Sequence, residues 1–316
     1  MKYYKSEKVN NVHIIEMPIS DFKIILNDSK KKSALPRNYC NAGFFANYSE
    51  NGQPFTLPVA HLVCDYGATS SATKKYCTER GKFNGNKFTF DSSTWSYGND
   101  FYKKAISTLL IKDNKAEIKE IISIPTGYNY AISGIPVMKN GVDVSYNNFV
   151  KTQGWDASPL YATWHIFIGL KQNDNNTIYI IGMQTTTYNL IATSEAYQKF
   201  KKLDMYNVIK LDGGGSFHLN VDGKTIATAF EDRRINTIIS FDNCNIGGKV
   251  DNAIENEIDK KDNVQNSNVT NNVSNVTINT ANTINTNKSI TKSIFKNFTS
   301  SNNVLTSFIR RKRKYI

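Results

Sequence analysis

The stretch Val208–Leu219, VIKLDGGGSFHL, constrains the fold more than any other part of the chain. A β-branched run enters three consecutive glycines behind an aspartate, and apolar alternation resumes at once with Phe217, Leu219 and Val221. That grammar is strand, glycine loop, strand. Residues without a Cβ accept positive φ and let a ligand approach bare backbone, and successive amides in such a turn can form a concavity that holds an anion. Two readings are open: a tight turn that simply needs glycine, or a site for phosphate or another oxyanion with Asp212 beside it.

The residues beyond the glycines argue against the familiar nucleotide loops. Dinucleotide and P-loop sites open a helix whose N-terminus faces the phosphate, whereas here period-two alternation continues to an Asp222-Gly223 turn. Serine-hydrolase chemistry through Ser216 is disfavoured too, because Gly-Gly-Gly-Ser-Phe lacks the strand-to-helix nucleophile elbow.

The rest of the chain reads as strands. With 316 residues, 40% of them hydrophobic, it can bury a sizeable core. Strand pairs are expected around Val12–Leu26, across Asp113-Asn114, at the Asn140-Gly141 turn, and between Ala162–Leu170 and Thr177–Gly182. A hairpin is expected over Leu219–Phe230, and Ile235–Phe241 closes the body as a final strand. Residues 46–100, rich in Gly, Asn, Ser and Tyr, suggest strands with long loops. Only Ser194–Leu203, with Thr193 or Ser194 as N-cap and lysines in its last turn, argues firmly for a helix. The expected body is therefore strand-rich, of mixed or antiparallel sheet with few helices, followed by a low-complexity C-terminal extension.

That division falls between residues 1–245 and 246–316. Residues 249–262 could form one short amphipathic helix. From Asn263 to Asn297, Asn, Thr and Ser dominate, with too little apolar area to offset ordering entropy. The end pairs Leu305, Phe308 and Ile309 with the basic run Arg310–Lys314, which suits either docking or a solvated terminus. Residues 251–316 carry ten Lys/Arg and five Asp/Glu, so +5 of the net +12 lies there and +7 on the remainder. Such a balance attracts nucleic acid, anionic glycopolymer or membrane surface alike. Nucleic acid is disfavoured because the one localised basic cluster is terminal, with no aromatic-interleaved groove.

No apolar run is long enough to cross a bilayer, and Val12–Ile15 is too short for a signal-peptide core. The expectation is a product that is cytoplasmic when made, or one that leaves the cell by another route, such as inside a phage particle. Cys40, Cys64, Cys77 and Cys244 form no CxxC pair and read as free buried thiols. No cofactor is called for, and neither a zinc site nor an acidic Ca²⁺ loop is visible.

Four segments resemble, in order, the phosphodiester glycosidase domain: Asn41-Ala-Gly-Phe-Phe45, Ala131-x-x-Gly134-x-Pro136 with its Asn140-Gly141 turn, Leu211-Asp-Gly-Gly-Gly-Ser216, and Arg233-Arg-Ile-Asn-Thr-Ile-Ile239. The resemblance covers about residues 8–243 and is most specific at LDGGGS. It implies an α+β body with extensive β-sheet and hydrolysis of a sugar-1-phosphate ester at the anomeric carbon, with a bacterial surface glycopolymer as the expected substrate. Asp212 would stabilise or attack that carbon, or activate water. The amides of Gly213, Gly214, Gly215 and Ser216 would hold phosphate oxygens, Arg233 would clamp the phosphate, and Asn41 would hydrogen-bond sugar or phosphate. The family often carries arginine where this chain has His165 and again where Gln184 stands, which makes His165 a catalytic candidate and Gln184 a substrate-binding one; a histidine can still donate to phosphate. His218 either faces the ligand or follows the strand alternation away from it. The competing reading is a non-catalytic glycan-binding or structural component of an assembly such as a phage tail, docked through residues 246–316.

Overall fold

The computed structural model describes residues 1–246, apart from 29–30, 36, 95–99, 145–149, 151, 156–162, 185–191 and 242–244. Cys244, the helix expected at 249–262 and the whole C-terminal tail lie outside the described residues.

The chain begins with β1 (Lys2–Lys5), β2 (Val12–Pro18), β3 (Lys23–Leu26), β4 (Tyr39–Asn41), β5 (Phe45–Glu50), β6 (Gln53–Pro58) and β7 (Leu62–Tyr66). After α1 (Ser71–Arg80) come β8 (Lys82–Asn84), β9 (Lys87–Phe90), β10 (Ile106–Lys112), β11 (Lys115–Ile121), β12 (Tyr130–Ser133), β13 (Ile135–Lys139), β14 (Val142–Asp143), β15 (Trp164–Lys171) and β16 (Asp174–Gln184). The remaining elements are α2 (Ala192–Lys202), β17 (Asn207–Gly213), β18 (His218–Val221), β19 (Lys224–Thr228), β20 (Thr237–Ser240) and β21 (Asn245–Ile246).

An eight-stranded sheet runs β14-β13-β17-β15-β16-β2-β1-β21, and an eleven-stranded sheet takes the path β11-β10-β12-β7-β3-β20-β4-β18-β19 with β8 and β9 attached at β7. Most pairings are antiparallel, but β1 with β21 and β3 with β7 are parallel, so both sheets are mixed. The body is α+β with extensive sheet, as the sequence indicates.

Alternation places the core. Ile209 and Leu211 of β17, with Ile166 and Ile168 of β15, join Ile24, Leu26, Leu219 and Ile239 of the other sheet in one buried cluster. The opposite face of the eight-stranded sheet presents Val137, Phe167, Ile181 and Val208, which α2 covers with Ala196 and Phe200 at helical spacing, followed by Leu203 just past its end. The hairpin turns at Asp113-Asn114, Asn140-Gly141 and Asp222-Gly223 each hold both central residues at positive φ, as right-twisted two-residue hairpins require.

Two expectations need correction. Residues 46–100 contain the helix α1, whose N-cap Ser70 accepts from the Thr73 amide at 3.1 Å. It was illegible because it has no apolar stripe: its buried positions are Thr73 and Cys77, and Tyr76 stacks on Phe55 of β6 at 4.8 Å. Ile235–Phe241 is also not the last strand, because β21 pairs with β1 beyond it. Cys40, Cys64 and Cys77 are free and buried, and no described helix is long and apolar enough to cross a membrane.

Candidate functional site

The glycine loop is the crossing from one sheet to the other. Strand β17 ends at Gly213, a 3-10 turn occupies Gly214–Ser216, and β18 begins at His218 in the second sheet. Gly214 takes φ +56°, the left-handed region where glycine carries no steric penalty. Gly213 meets a different constraint: a Cβ there would lie 2.6 Å from the Trp164 carbonyl and 3.1 Å from His165 Nδ1. A Cβ on Gly215 would lie 2.4 Å from Glu231 Oε2. The expected strand–loop–strand order holds, with one short 3-10 turn inside it.

Asn41, at the end of β4, holds both limbs of this crossing. Its Nδ2 donates to the Asp212 carbonyl at 2.8 Å, and its Oδ1 accepts from the His218 amide at 3.0 Å. The side chain is buried, and both ends of its amide are engaged by protein. Expected as a substrate contact, Asn41 is placed as the staple of the loop.

Asp212 is half-buried, and its Oδ1 accepts from the Gly213 amide at 2.9 Å. Burial pushes its carboxyl above the ordinary aspartate range, opposed by the Ser216 hydroxyl and the charges of Arg233 and Lys210. Of the four loop amides expected to hold phosphate, the one on Gly213 is thus already taken by the neighbouring carboxylate.

Arg233 comes from the segment after β19. Its Nη2 donates to Ser216 Oγ at 2.5 Å, and its Nη1 lies 3.5 Å from Glu231 Oε2. Arg233 thus reaches the glycine loop and also pairs with Glu231. Nε of Arg233 is buried without a hydrogen-bond partner.

His165 is buried on β15 directly opposite Gly213, so the structure brings it against the loop. Gln184 ends β16 with an exposed side chain, two strands from Gly213. His218 is buried, stacks on Tyr39 at 4.9 Å and shares a hydrogen bond of 2.9 Å between Nδ1 and Thr228 Oγ1. Burial, aided by nearby Lys32, pulls its imidazole down to about 4, so it is neutral at pH 7.

Sequence reading missed two lysines. Lys32 is 3% exposed and donates to three carbonyls, Gly215 at 3.1 Å, Phe217 at 3.3 Å and Ala229 at 2.9 Å. It therefore sits as a fixed charge behind the loop, with burial and then Arg233 lowering its proton affinity. Lys210, two residues before Asp212 on β17, is also 3% exposed. Its Nζ donates to the Leu211 carbonyl at 3.1 Å and lies 5.0 Å from the Phe44 ring centroid. Burial pulls Lys210 down to about 8, against the pull of Asp212. A lysine in mid-strand, two residues before a half-buried aspartate, was the available signal for Lys210; Lys32 is lost among its lysine neighbours.

No group of three or more metal-ligating side chains gathers among the described residues. The site is thus a glycine loop carrying one carboxyl of raised proton affinity, with three cations around it.

No family model matches the chain, and no curated protein matches it in sequence. Among solved structures, the chain is similar to the zebrafish N-acetylglucosamine-1-phosphodiester alpha-N-acetylglucosaminidase catalytic domain auto-inhibited by its pro-peptide, at 14% identity and TM-score 0.47, over 73% of this chain and 76% of that one. A hypothetical protein from Synechocystis aligns at 10% identity and TM-score 0.38, over 72% of this chain and 58% of that one. A putative exported protein from Burkholderia pseudomallei aligns at 12% identity and TM-score 0.36, over 72% and 73%. The relationship to all three is distant and structural.

Proposed function

We propose that the chain is a hydrolase that cleaves a glycosyl-1-phosphodiester linkage, with a bacterial surface glycopolymer as its substrate class. The observation that carries this reading is the series Arg233–Ser216–Asp212 on the glycine loop, in which a guanidinium bonds the hydroxyl that acts on a carboxyl of raised proton affinity. The motif resemblance at Asn41–Phe45, Leu211–Ser216 and Arg233–Ile239 supports the same reading.

Glycosyl transfer passes through an oxocarbenium-like state that a carboxylate stabilises. A phosphate monoester is a good leaving group, so the demand for a general acid falls and one carboxyl suffices. Asp212 either stabilises the anomeric carbon or takes the proton of the water that adds to it. The bond from that carbon to the bridging oxygen breaks, and the oxygen departs with the phosphate. Arg233 and the amides of Gly214, Gly215 and Ser216 face the departing charge, and His165 adds a donor beside Gly213. Residues 246–316 form a separate docking segment in this reading, so a chain ending at 248 keeps its hydrolysis.

The test is release of free sugar from a sugar phosphodiester by the full chain and by Asp212→Asn. The expected result is loss of roughly three orders of magnitude or more in the variant at unchanged melting temperature, as for removal of a central catalytic group. Wild type and variant that are equally inert, yet both bind glycan, would make the protein a glycan-binding module instead.

A further inference from the structure

The cations around the loop differ in how many of their donors are already engaged. Lys32 directs hydrogen bonds to three carbonyls, one for each ammonium proton. Arg233 is held at its two terminal nitrogens by Ser216 and Glu231, while its Nε is buried without a hydrogen-bond partner. Lys210 is as buried as Lys32 but has, among the described residues, one hydrogen bond, to the carbonyl of its own neighbour, and its Nζ lies 5.0 Å from the Phe44 ring centroid. Among the described residues no carboxylate forms an ion pair with it, although Asp212, two residues on, is the charged group that acts on it. A structural lysine avoids the cost of burial by engaging its donors with carbonyls or a carboxylate, as Lys32 does. Among the described residues, Lys210 Nζ has no acceptor beyond the Leu211 carbonyl, and Asp212 of the candidate site is the charge that acts on it.

We propose that Lys210 is a phosphate-binding residue of this site, its ammonium donating to a phosphoryl oxygen of the substrate beside Asp212. The inference rests on the hydrolase reading and deepens it by naming a group that recognises the leaving phosphate. It also adds a positive charge to a chain that has His165 and Gln184 where the resemblance implies arginine. A consequence concerns protons. The charged group acting on Lys210 is Asp212, which favours the ammonium, while burial disfavours it and brings its titration to about 8. An arriving phosphate dianion adds a second negative charge, so above that pH binding draws a proton onto Lys210.

The test uses the full chain and inorganic phosphate, with calorimetry at pH 8.5 in two buffers of different ionisation enthalpy. Wild type is expected to bind phosphate with net proton uptake. Lys210→Met is expected to weaken binding at least about tenfold, the loss of one charge-assisted hydrogen bond, and to abolish the uptake. Lys210→Gln, which keeps a neutral donor, should recover part of the affinity without the uptake. A melting curve for each variant establishes that it is folded. Absence of phosphate binding by wild type, or affinity in Lys210→Met within twofold of wild type, overturns the proposal. Sugar release is scored separately: a chain that hydrolyses but binds phosphate without Lys210 refutes this assignment alone, and one that binds phosphate through Lys210 but never hydrolyses refutes the hydrolase reading.

Discussion

The Asn41 side chain donates to the Asp212 carbonyl at 2.8 Å and thereby fixes the residue that carries the candidate chemistry. Through its other end it also holds the His218 amide, so a single buried amide ties the exit of β17 to the entry of β18. Asn41→Ala leaves one carbonyl and one N–H buried without partners, each costing about 1–3 kcal/mol. Urea unfolding is expected to show a loss of about 2–4 kcal/mol, with sugar release falling further than stability alone explains.

The glycines of the loop are not equivalent. A Cβ at Gly213 would strike the Trp164 carbonyl at 2.6 Å, backbone held in the β15 ladder. At Gly215 it would meet the exposed carboxylate of Glu231, a side-chain end that can swing aside. Gly213→Ala is therefore expected to cost about 1–3 kcal/mol by overpacking and to displace Asp212. Gly215→Ala should stay under about 1 kcal/mol while releasing Arg233 from Glu231. Equal losses in the two variants, read by thermal melting, would contradict this ordering.

Legibility in the sequence depended on the reach of the signals. The strand pairs at Asp113-Asn114, Asn140-Gly141 and Asp222-Gly223 were readable because turn residues and alternation are local. The glycine loop and its Asp212 were readable for the same reason. Helix α1 was not, since Thr73 and Cys77 are its buried positions and tertiary packing on β6 decides its place. The partners of Asn41 and Lys32 were equally hidden: each bond joins positions more than 170 residues apart. Arg233 was named as a candidate from its motif, but its bonds to Ser216 and Glu231 are visible only in the fold.

His218 gives the fold an acid limb. In the unfolded chain its imidazole takes a proton below about 6.5, while the folded site resists until about 4. The unfolded state binds more protons between these values, so stability is present above 6.5 and is lost as pH falls toward 4, by up to about 3 kcal/mol. Asp212, whose proton affinity is raised, acts in the opposite sense at acid pH, so the measurement is a difference. Urea midpoints of wild type and His218→Phe from pH 7.5 to 4.5 should converge as pH falls; parallel curves would remove His218 as the cause.

Lys210 makes the complementary case on the alkaline side. Folded, it titrates at about 8; unfolded, near 10.4. The unfolded chain binds more protons between the two, so stability rises with pH across that window, and below 8 the native state carries a penalty of up to about 3 kcal/mol. Replacing a buried charge lacking a carboxylate partner by an apolar side chain of similar volume removes this penalty. Lys210→Met is thus expected to be more stable than wild type by about 1–3 kcal/mol at pH 7, with the advantage shrinking toward pH 10.5. A variant that gains stability while losing phosphate affinity shows that the charge serves binding at the expense of the fold. A Met variant less stable than wild type at pH 7 would instead assign Lys210 to the architecture of β17.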